Sequence, residues 1–385
     1  MNILVLNYEY PPLGGGGASV CRDLSKAFVQ AGHHVTVVTM GFPGLPDYED
    51  AEGIEIFRVK CLHRKAHACM PWEQYTYIAA ARKFLKGHLR SHTYELCHTH
   101  FILPTGPVAQ WIKKRYDIPY VVTAHGSDVE GYNDKTWNKV MHILLRPFWK
   151  KNVQNANAVI APSGFLMHLL KRSMESDRYR LIPNGLDIGI YQAGPDEKEH
   201  RILLMGRMQQ SKNIQTILKA LADIPDEIWR DWRADVIGDG PYRHKLEQLA
   251  EELRITDRVR FFGWIDHESP EHLEYLKRSA IYISASRFEN CPMAVLESIA
   301  AQCYPLLSDI EGHRQFFEKD AGQYFFPADD ARALTSALIE VMQKKAVDEM
   351  YLPDIQRFDI RCIAEQYLSL FEEIRGCRDC RLLSR

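Results

Sequence analysis

Short apolar runs alternate with amphipathic stretches along most of the chain. In the first half Asn2–Leu6, His34–Met40, Ile54–Val59, Leu96–His98, Tyr120–Thr123 and Ala158–Ala161 read as strands, and Ser19–Ala31 and Thr105–Arg115 show helical spacing. The second half repeats the scheme. Strands are predicted at Arg201–Met205, Ala234–Ile237, Val259–Phe262 and Ile281–Ser284, with helices at Ile214–Ala222, Tyr242–Leu253, Pro270–Arg278 and Met293–Ala301. Strands alternating with helices build parallel sheets covered on both faces, so the expected fold class is α/β with two Rossmann-like domains.

A chain of 385 residues exceeds what one core usually organises. The seam is expected near Ile182–His200, where Ile-Pro-Asn-Gly runs into the polar stretch Gly194–His200. The predicted division is an N-terminal Rossmann-like domain over 1–182, a C-terminal Rossmann-like domain over 183–362, and a tail over 363–385 whose helix, about Ile363–Ile374, returns to the first domain. Ligands of such sheets bind beyond the carboxyl ends of the strands, which predicts a cleft between the domains.

Charge changes this picture in one respect. Residues 1–180 hold 22 Lys and Arg against 15 Asp and Glu, whereas residues 181–385 hold 26 against 35. The first half is the one expected to meet something anionic. The charge follows no nucleic-acid-binding module, so nucleic acid is not an expected partner. The N-terminal apolar run is too short for a signal peptide or a membrane span, and nine scattered cysteines suit a reducing compartment, so a cytoplasmic location is expected. Cys377 and Cys380 form the one close pair, but two further zinc ligands are not evident and no metal is expected.

Four constellations stand at predicted strand ends. Pro11-Pro12-Leu13-Gly14-Gly15-Gly16-Gly17-Ala18 precedes a helix expected to open near Ser19; such glycines let backbone approach a ligand, and helix-start amides favour an anion. A dinucleotide fingerprint does not fit. Ser19 stands where a third Gly or Ala is needed, and Met40-Gly41-Phe42 stands where an acid would bind ribose. A plain surface loop is the alternative. Ala124-His125-Gly126-Ser127-Asp128 follows another strand, where His125 is either a pocket residue or a packed histidine. In Met205–Asn213, Arg207 offers a rigid fork and Lys212 a mobile charge for phosphate oxygens, unless the loop is simply solvated. Finally, Ser286–Ser298 places Glu289 in a loop, Pro292 at the first position of a helix and Glu297 in its second turn. At about 1.5 Å per helical residue the two carboxylates suit opposite ends of one elongated ligand. The alternative is a capping Glu289 and an exposed Glu297.

Taken together, the glycine loop, His125-Gly126, Pro183-Asn184-Gly185, Gly206-Arg207 with Lys212, Gly238-Asp239-Gly240-Pro241, Gly263-Trp264 and Glu289-x7-Glu297 resemble the retaining glycosyltransferases of family 4, which have the GT-B fold. The resemblance implies transfer of a hexose-type sugar from a nucleotide diphosphate sugar, a UDP-sugar on base rates, to a glycan or lipid-linked acceptor. It implies no metal or other cofactor, in keeping with the absence of an Asp-x-Asp triplet. Arg207 and Lys212 would hold the diphosphate and stabilise the leaving charge. Gly16 and Gly17 would approach it, Glu297 would take the ribose, and Glu289 with the segment Asn290, Cys291, Pro292 and Met293 would grip sugar and phosphate, which gives the nucleotide sugar to the domain over 183–362 and the acceptor to that over 1–182. His125 would contact the transferred sugar, and Gly263 and Trp264 would lie along the base. Two positions depart from the family: Asn290-Cys291 replaces a Gly-Phe type pair, and Gln302 replaces a glycine after the helix.

The segment Lys135–Lys151 interleaves Trp137, Val140, Ile143, Leu144, Leu145, Phe148 and Trp149 with basic residues. Such a pattern suits peripheral contact with an anionic membrane, here the inner face of the cell membrane, or alternatively a core-facing helix limited by Pro147. A nucleotide-sugar epimerase of the same fold and a catalytically silent sugar-nucleotide-binding subunit are the rival functions.

Overall fold

The computed structural model describes residues 1–64, 69–132, 136–192, 198–267, 269–317, 321–343 and 353–383. Contacts divide the chain into two units, 1–185 with 358–385, and 186–357. The two changes of unit thus fall a few residues from the boundaries expected at 182 and 363.

The first unit holds an eight-stranded sheet. Its strands are β1 (Asn2–Leu6), β2 (His34–Met40), β3 (Tyr48–Ala51), β4 (Ile54–Val59), β5 (Leu96–His100), β6 (Tyr120–Thr123), β7 (Ala158–Ala161) and β8 (Tyr179–Leu181), in the spatial order β3-β4-β2-β1-β5-β6-β7-β8. Only β3 runs antiparallel, against β4. The central strands are near-continuous apolar runs because helices bury both faces. One of those helices is Gly16–Gln30, which turns Val20, Leu24 and Phe28 inward. It opens three residues before the predicted Ser19, so Gly16 and Gly17 belong to its first turn.

The helix Ile360–Leu383 completes this unit. Ile363, Tyr367 and Phe371 recur at i, i+4 and i+8 and are buried. Phe371 meets Phe28 edge-on at 5.6 Å between ring centres. The helix Thr136–Asn155 carries Pro147 in its interior, against the expectation that proline would limit it. Trp149 and Val153, buried beyond the proline, anchor the continuation, and Trp149 Nε1 donates to Asp128 O at 2.9 Å. Lys135 lies outside the described residues, as do the side chains of Trp137 and Cys380.

The second unit holds a six-stranded, all-parallel sheet: β9 (Glu199–Met205), β10 (Arg233–Ile237), β11 (Val259–Gly263), β12 (Ser279–Ser284), β13 (Tyr304–Ser308) and β14 (Phe325–Phe326), in the order β11-β10-β9-β12-β13-β14. The strand order reverses between β9 and β12, and in the first unit between β1 and β5. In open α/β sheets a crevice opens at such switch points, beyond the strands' carboxyl ends.

Candidate active site

The second unit gathers four of the predicted side chains around its switch point. Three loops leaving β9, β10 and β11 are stitched side by side: Gly206 N donates to Ile237 O at 3.0 Å, Met208 N to Asp239 O at 2.8 Å, and Gly238 N to Gly263 O at 2.6 Å. Arg207 projects from the first of these loops, exposed and without an ion pair among the described residues. Lys212 ends the short turn Gln210–Lys212, just before the helix Ile214–Ala222. Across the switch point, Arg287 N donates to Ser211 O at 2.9 Å and joins the loop after β12 to the lysine turn.

Glu289 sits at that junction. The Lys212 ammonium donates to its Oε1, and Ser286 Oγ donates to the same oxygen at 2.7 Å. Burial alone would raise the carboxyl's pKa, but the lysine charge, with help from His313 and Ser286, outweighs it and leaves Glu289 below the usual carboxylate range. Gly312, in the turn of helix Glu311–Arg314, presses on this loop from behind: a Cβ there would stand 2.3 Å from Glu289 O. Next to it His313 is buried, bonded through Nδ1 to Ser308 O at 2.8 Å, and Ser308 Oγ donates to Ser286 O at 2.5 Å. Glu289 is therefore an ionised, doubly held group and not a helix cap.

Asn290 and Cys291 are buried behind it, and Gln315 Nε2 donates to Asn290 O at 2.6 Å. The following helix runs Met293–Ala300, with Pro292 as its N-cap and not its first residue. The ring's fixed φ suits either place, because no amide proton is needed at a helix start. Glu297 is 1% exposed, against the alternative of a surface residue. His267 Nε2 donates to its Oε1 at 2.7 Å and His272 Nε2 to its Oε2 at 3.4 Å. Burial would raise this carboxyl as well, yet the two histidines outweigh burial and hold it at about 2. Trp264, after Gly263, is half exposed. The arrangement offers cations to a diphosphate and two separate carboxylates to hydroxyl groups.

In the first unit, Gly17 and His125 are neighbours. A Cβ on Gly17 would stand 2.8 Å from the Phe101 ring and 3.4 Å from the His125 ring, so only glycine admits both. Gly16 has open space around it. The His125 loop is tied down by Asp128, whose carboxylate accepts from the amides of His125 and Gly126 at 3.0 Å each and from Ile102 at 2.7 Å. His125 Nε2 lies 2.9 Å from His100 Nδ1, and His98 Nε2 lies 2.9 Å from Thr123 Oγ1, itself 3.1 Å from the Tyr367 hydroxyl. Burial pushes His98 and His125 down to about 3 and His100 well below the usual imidazole range, so all three are neutral imidazoles.

Two family models account for most of the chain: Glycosyltransferase Family 4 matches residues 14–189, and Glycosyl transferases group 1 matches residues 190–352. The chain is a family 4 glycosyltransferase. Among its relatives, the alpha-monoglucosyldiacylglycerol synthase of Streptococcus pneumoniae is 28% identical over 367 residues, covering 88% of this chain and 78% of that protein. Among solved structures, sucrose-phosphate synthase from Thermosynechococcus elongatus superposes with a TM-score of 0.74 at 22% identity, over 100% of this chain and 99% of that one. The Anabaena protein HepE, in complex with UDP and glucose, gives 0.69 at 15% identity over 98% and 99%. The fold of this glycosyltransferase is accordingly GT-B.

Sequence reading did not single out several residues of the glycosyltransferase that touch these positions: His267, His272, Ser286, Gly312 and His313 in the second unit, and His98, His100, Asp128 and Tyr367 in the first. His98-Thr99-His100, a pair of histidines two apart at a strand's carboxyl end, was a readable signal, since side chains at i and i+2 share one face. His267 and His272 had none, because their partner Glu297 is remote in sequence.

Proposed function

We propose that the protein is a retaining hexosyltransferase that takes a UDP-sugar as donor and a lipid-linked or glycan acceptor, and that it works without a metal. The observation that carries this reading is the set Arg207, Lys212, Glu289 and Glu297 at one switch point. Arg207 and Lys212 supply the positive charge that a diphosphate leaving group requires, with Lys212 already poised against Glu289. In this reading Lys212 turns toward the diphosphate when donor binds, and Glu289 takes hydroxyls of the transferred sugar. Glu297 takes the ribose, and Gly263 with Trp264 lies along the base. The amides of Asn290, Cys291 and Met293 at the start of the helix favour negative charge. Gly16 and Gly17 offer first-turn amides to phosphate oxygens, and His125, neutral through burial, serves as a hydrogen-bonding contact to the sugar and not as a proton donor. The leaving phosphate takes the acceptor's proton on the same face, which preserves the anomeric configuration.

Two comparisons support the finer terms. HepE was solved with UDP and glucose, and the Streptococcus pneumoniae relative is named for an α-glucosylated diacylglycerol. A lipid acceptor also fits the helix Thr136–Asn155. There Val140, Ile143, Leu144 and Phe148 are exposed on helical spacing, beside Lys139, Arg146 and Lys151. No helix among the described residues is long and apolar enough to cross a membrane. The test is transfer in the presence of EDTA from UDP-glucose and UDP-galactose to diacylglycerol in anionic vesicles, with the product's linkage determined by NMR. An α-linked product supports the reading. Sugar isomerised without acceptor would establish the epimerase instead, and intact donor with every acceptor would favour the silent subunit.

A further inference from the structure

We propose that His267 and His272 are positioning residues for the donor's ribose: they hold the Glu297 carboxylate in the orientation from which it accepts the 2′ and 3′ hydroxyls. The inference rests on the reading of Glu297 as the ribose contact and adds the groups that make it competent.

A carboxylate that is 1% exposed needs donors on the protein side to stay ionised. Glu297 has two, one on each oxygen: His267 Nε2 at 2.7 Å on Oε1 and His272 Nε2 at 3.4 Å on Oε2. An ionised carboxylate has about four acceptor positions, so about two remain for a diol. The histidines fix the plane of the group as well as its charge, because each engages a different oxygen. Local structure explains how they arrive there. Ser269 caps the helix Pro270–Arg278, its Oγ accepting from His272 N at 3.2 Å, and this sets His272 in the first turn, facing inward and 7% exposed. His267 comes from the loop after β11, with its side chain about one-third exposed. The two rings lie 4.7 Å apart, centre to centre.

Their three ligand-type atoms lie within 4.8 Å of one another, which raises a metal site as the competing reading. Two ligands of one tetrahedral zinc, each at about 2.1 Å, stand about 3.4 Å apart. The 2.7 Å between His267 Nε2 and Glu297 Oε1 is the spacing of a hydrogen bond.

Calorimetric titration separates this role from a merely structural one. The probes are UDP and 2′,3′-dideoxy-UDP, with the guanosine pair in parallel, against wild type, His272→Ala and His267→Ala. Wild type is expected to prefer the ribonucleotide at least tenfold. In each variant that ratio should collapse toward one, with binding of the dideoxynucleotide nearly unchanged, and His272→Gln should restore part of it by returning a donor. A variant that weakens both nucleotides equally and keeps the wild-type ratio overturns the proposal. His267→Ala, at a partly exposed loop position, keeps the test available should His272→Ala unfold. A wild type that binds both nucleotides equally well removes the ribose role of Glu297 itself, and a wild type that binds neither removes the donor site; both are distinct from a failure of the histidines.

Discussion

Lys212 and Glu289, 77 residues apart in sequence, meet as an ion pair where β9 and β12 part. The pair keeps the Glu289 carboxylate ionised and holds the Lys212 side chain against it before any ligand arrives. Lys212→Ala is expected to lower sugar transfer about a hundredfold, the scale on which one stabilising contact to a developing charge acts. It should also lower stability by about 2 kcal/mol, because Glu289 is left without its cation. Glu289→Gln should cut transfer comparably while Lys212, partly exposed, stays hydrated. Steady-state kinetics and urea denaturation of the two variants check both effects.

Gly312→Ala adds a single methyl group against the Glu289 carbonyl, where a Cβ would stand 2.3 Å away. The clash is with backbone, so the Glu289 loop has to shift, at a cost of about 1–3 kcal/mol. Transfer is expected to fall more than tenfold although residue 312 touches no ligand in this account. Denaturation and kinetics on one preparation would show whether activity and stability part company in this way.

At Gln302 the backbone has φ of 61°. Gln302 N donates to Ile299 O and Cys303 N to Ser298 O, both at 2.9 Å, the double closure that ends many helices and ordinarily uses glycine at this position. Gln302→Gly is therefore expected to stabilise the protein by about 1 kcal/mol, as left-handed strain removed exceeds unfolded-chain entropy gained. Transfer should not change. A rise in the urea midpoint with an unchanged slope would be the signature.

His98, His100 and His125 are neutral in the folded chain and take up protons near 6.5 once unfolded. The unfolded state binds more protons below that value, so their contribution to stability is complete above pH 6.5 and is lost as pH falls toward about 3. Each histidine contributes a slope of about 1.4 kcal/mol per pH unit in this window. Denaturation between pH 7.5 and 5 should show stability falling, and His98→Gln should reduce the slope by one proton's worth. An unchanged slope would mean that His98 is already charged in the folded state.

On the helix Thr136–Asn155, Ile143 and Leu144 are each 64% exposed. Ile143→Asp with Leu144→Asp should leave stability within about 0.5 kcal/mol, as surface changes usually do. Sedimentation with phosphatidylglycerol vesicles should fall severalfold.

The sheets were legible because strands buried on both faces must be apolar throughout, as the runs Ile-Leu-Val-Leu in β1 and Tyr-Val-Val-Thr in β6 are. Three of the four edge strands, β3, β8 and β14, were not legible, and neither was the inner strand β13. Tyr48–Ala51 pairs on one side only, and its sequence Tyr-Glu-Asp-Ala shows no such run. Residues beyond strand ends were also legible, since Arg207, Lys212, Glu289 and His125 lie in the loops that leave β9, β12 and β6. What was hidden depends on pairs distant along the chain. His267 and His272 acquire a meaning only when helix Met293–Ala300 brings Glu297 to them, and Gly312 only when its turn meets the Glu289 backbone. Helix starts misled by a residue or three, as at Gly16 and Pro292, because glycine and proline fit both inside and just before the first turn.

The central claim, a nucleotide-sugar site built on Lys212, Glu289 and Glu297, is tested most directly by a thermal-shift titration with UDP and GDP in EDTA. Ligand at a hundred times its dissociation constant stabilises the folded state by about 2.7 kcal/mol. The account predicts a saturable rise in the melting temperature with UDP, a smaller one with GDP, and loss of the response in Lys212→Ala. No shift with either nucleotide at millimolar concentration, in a protein that melts cooperatively, would contradict it.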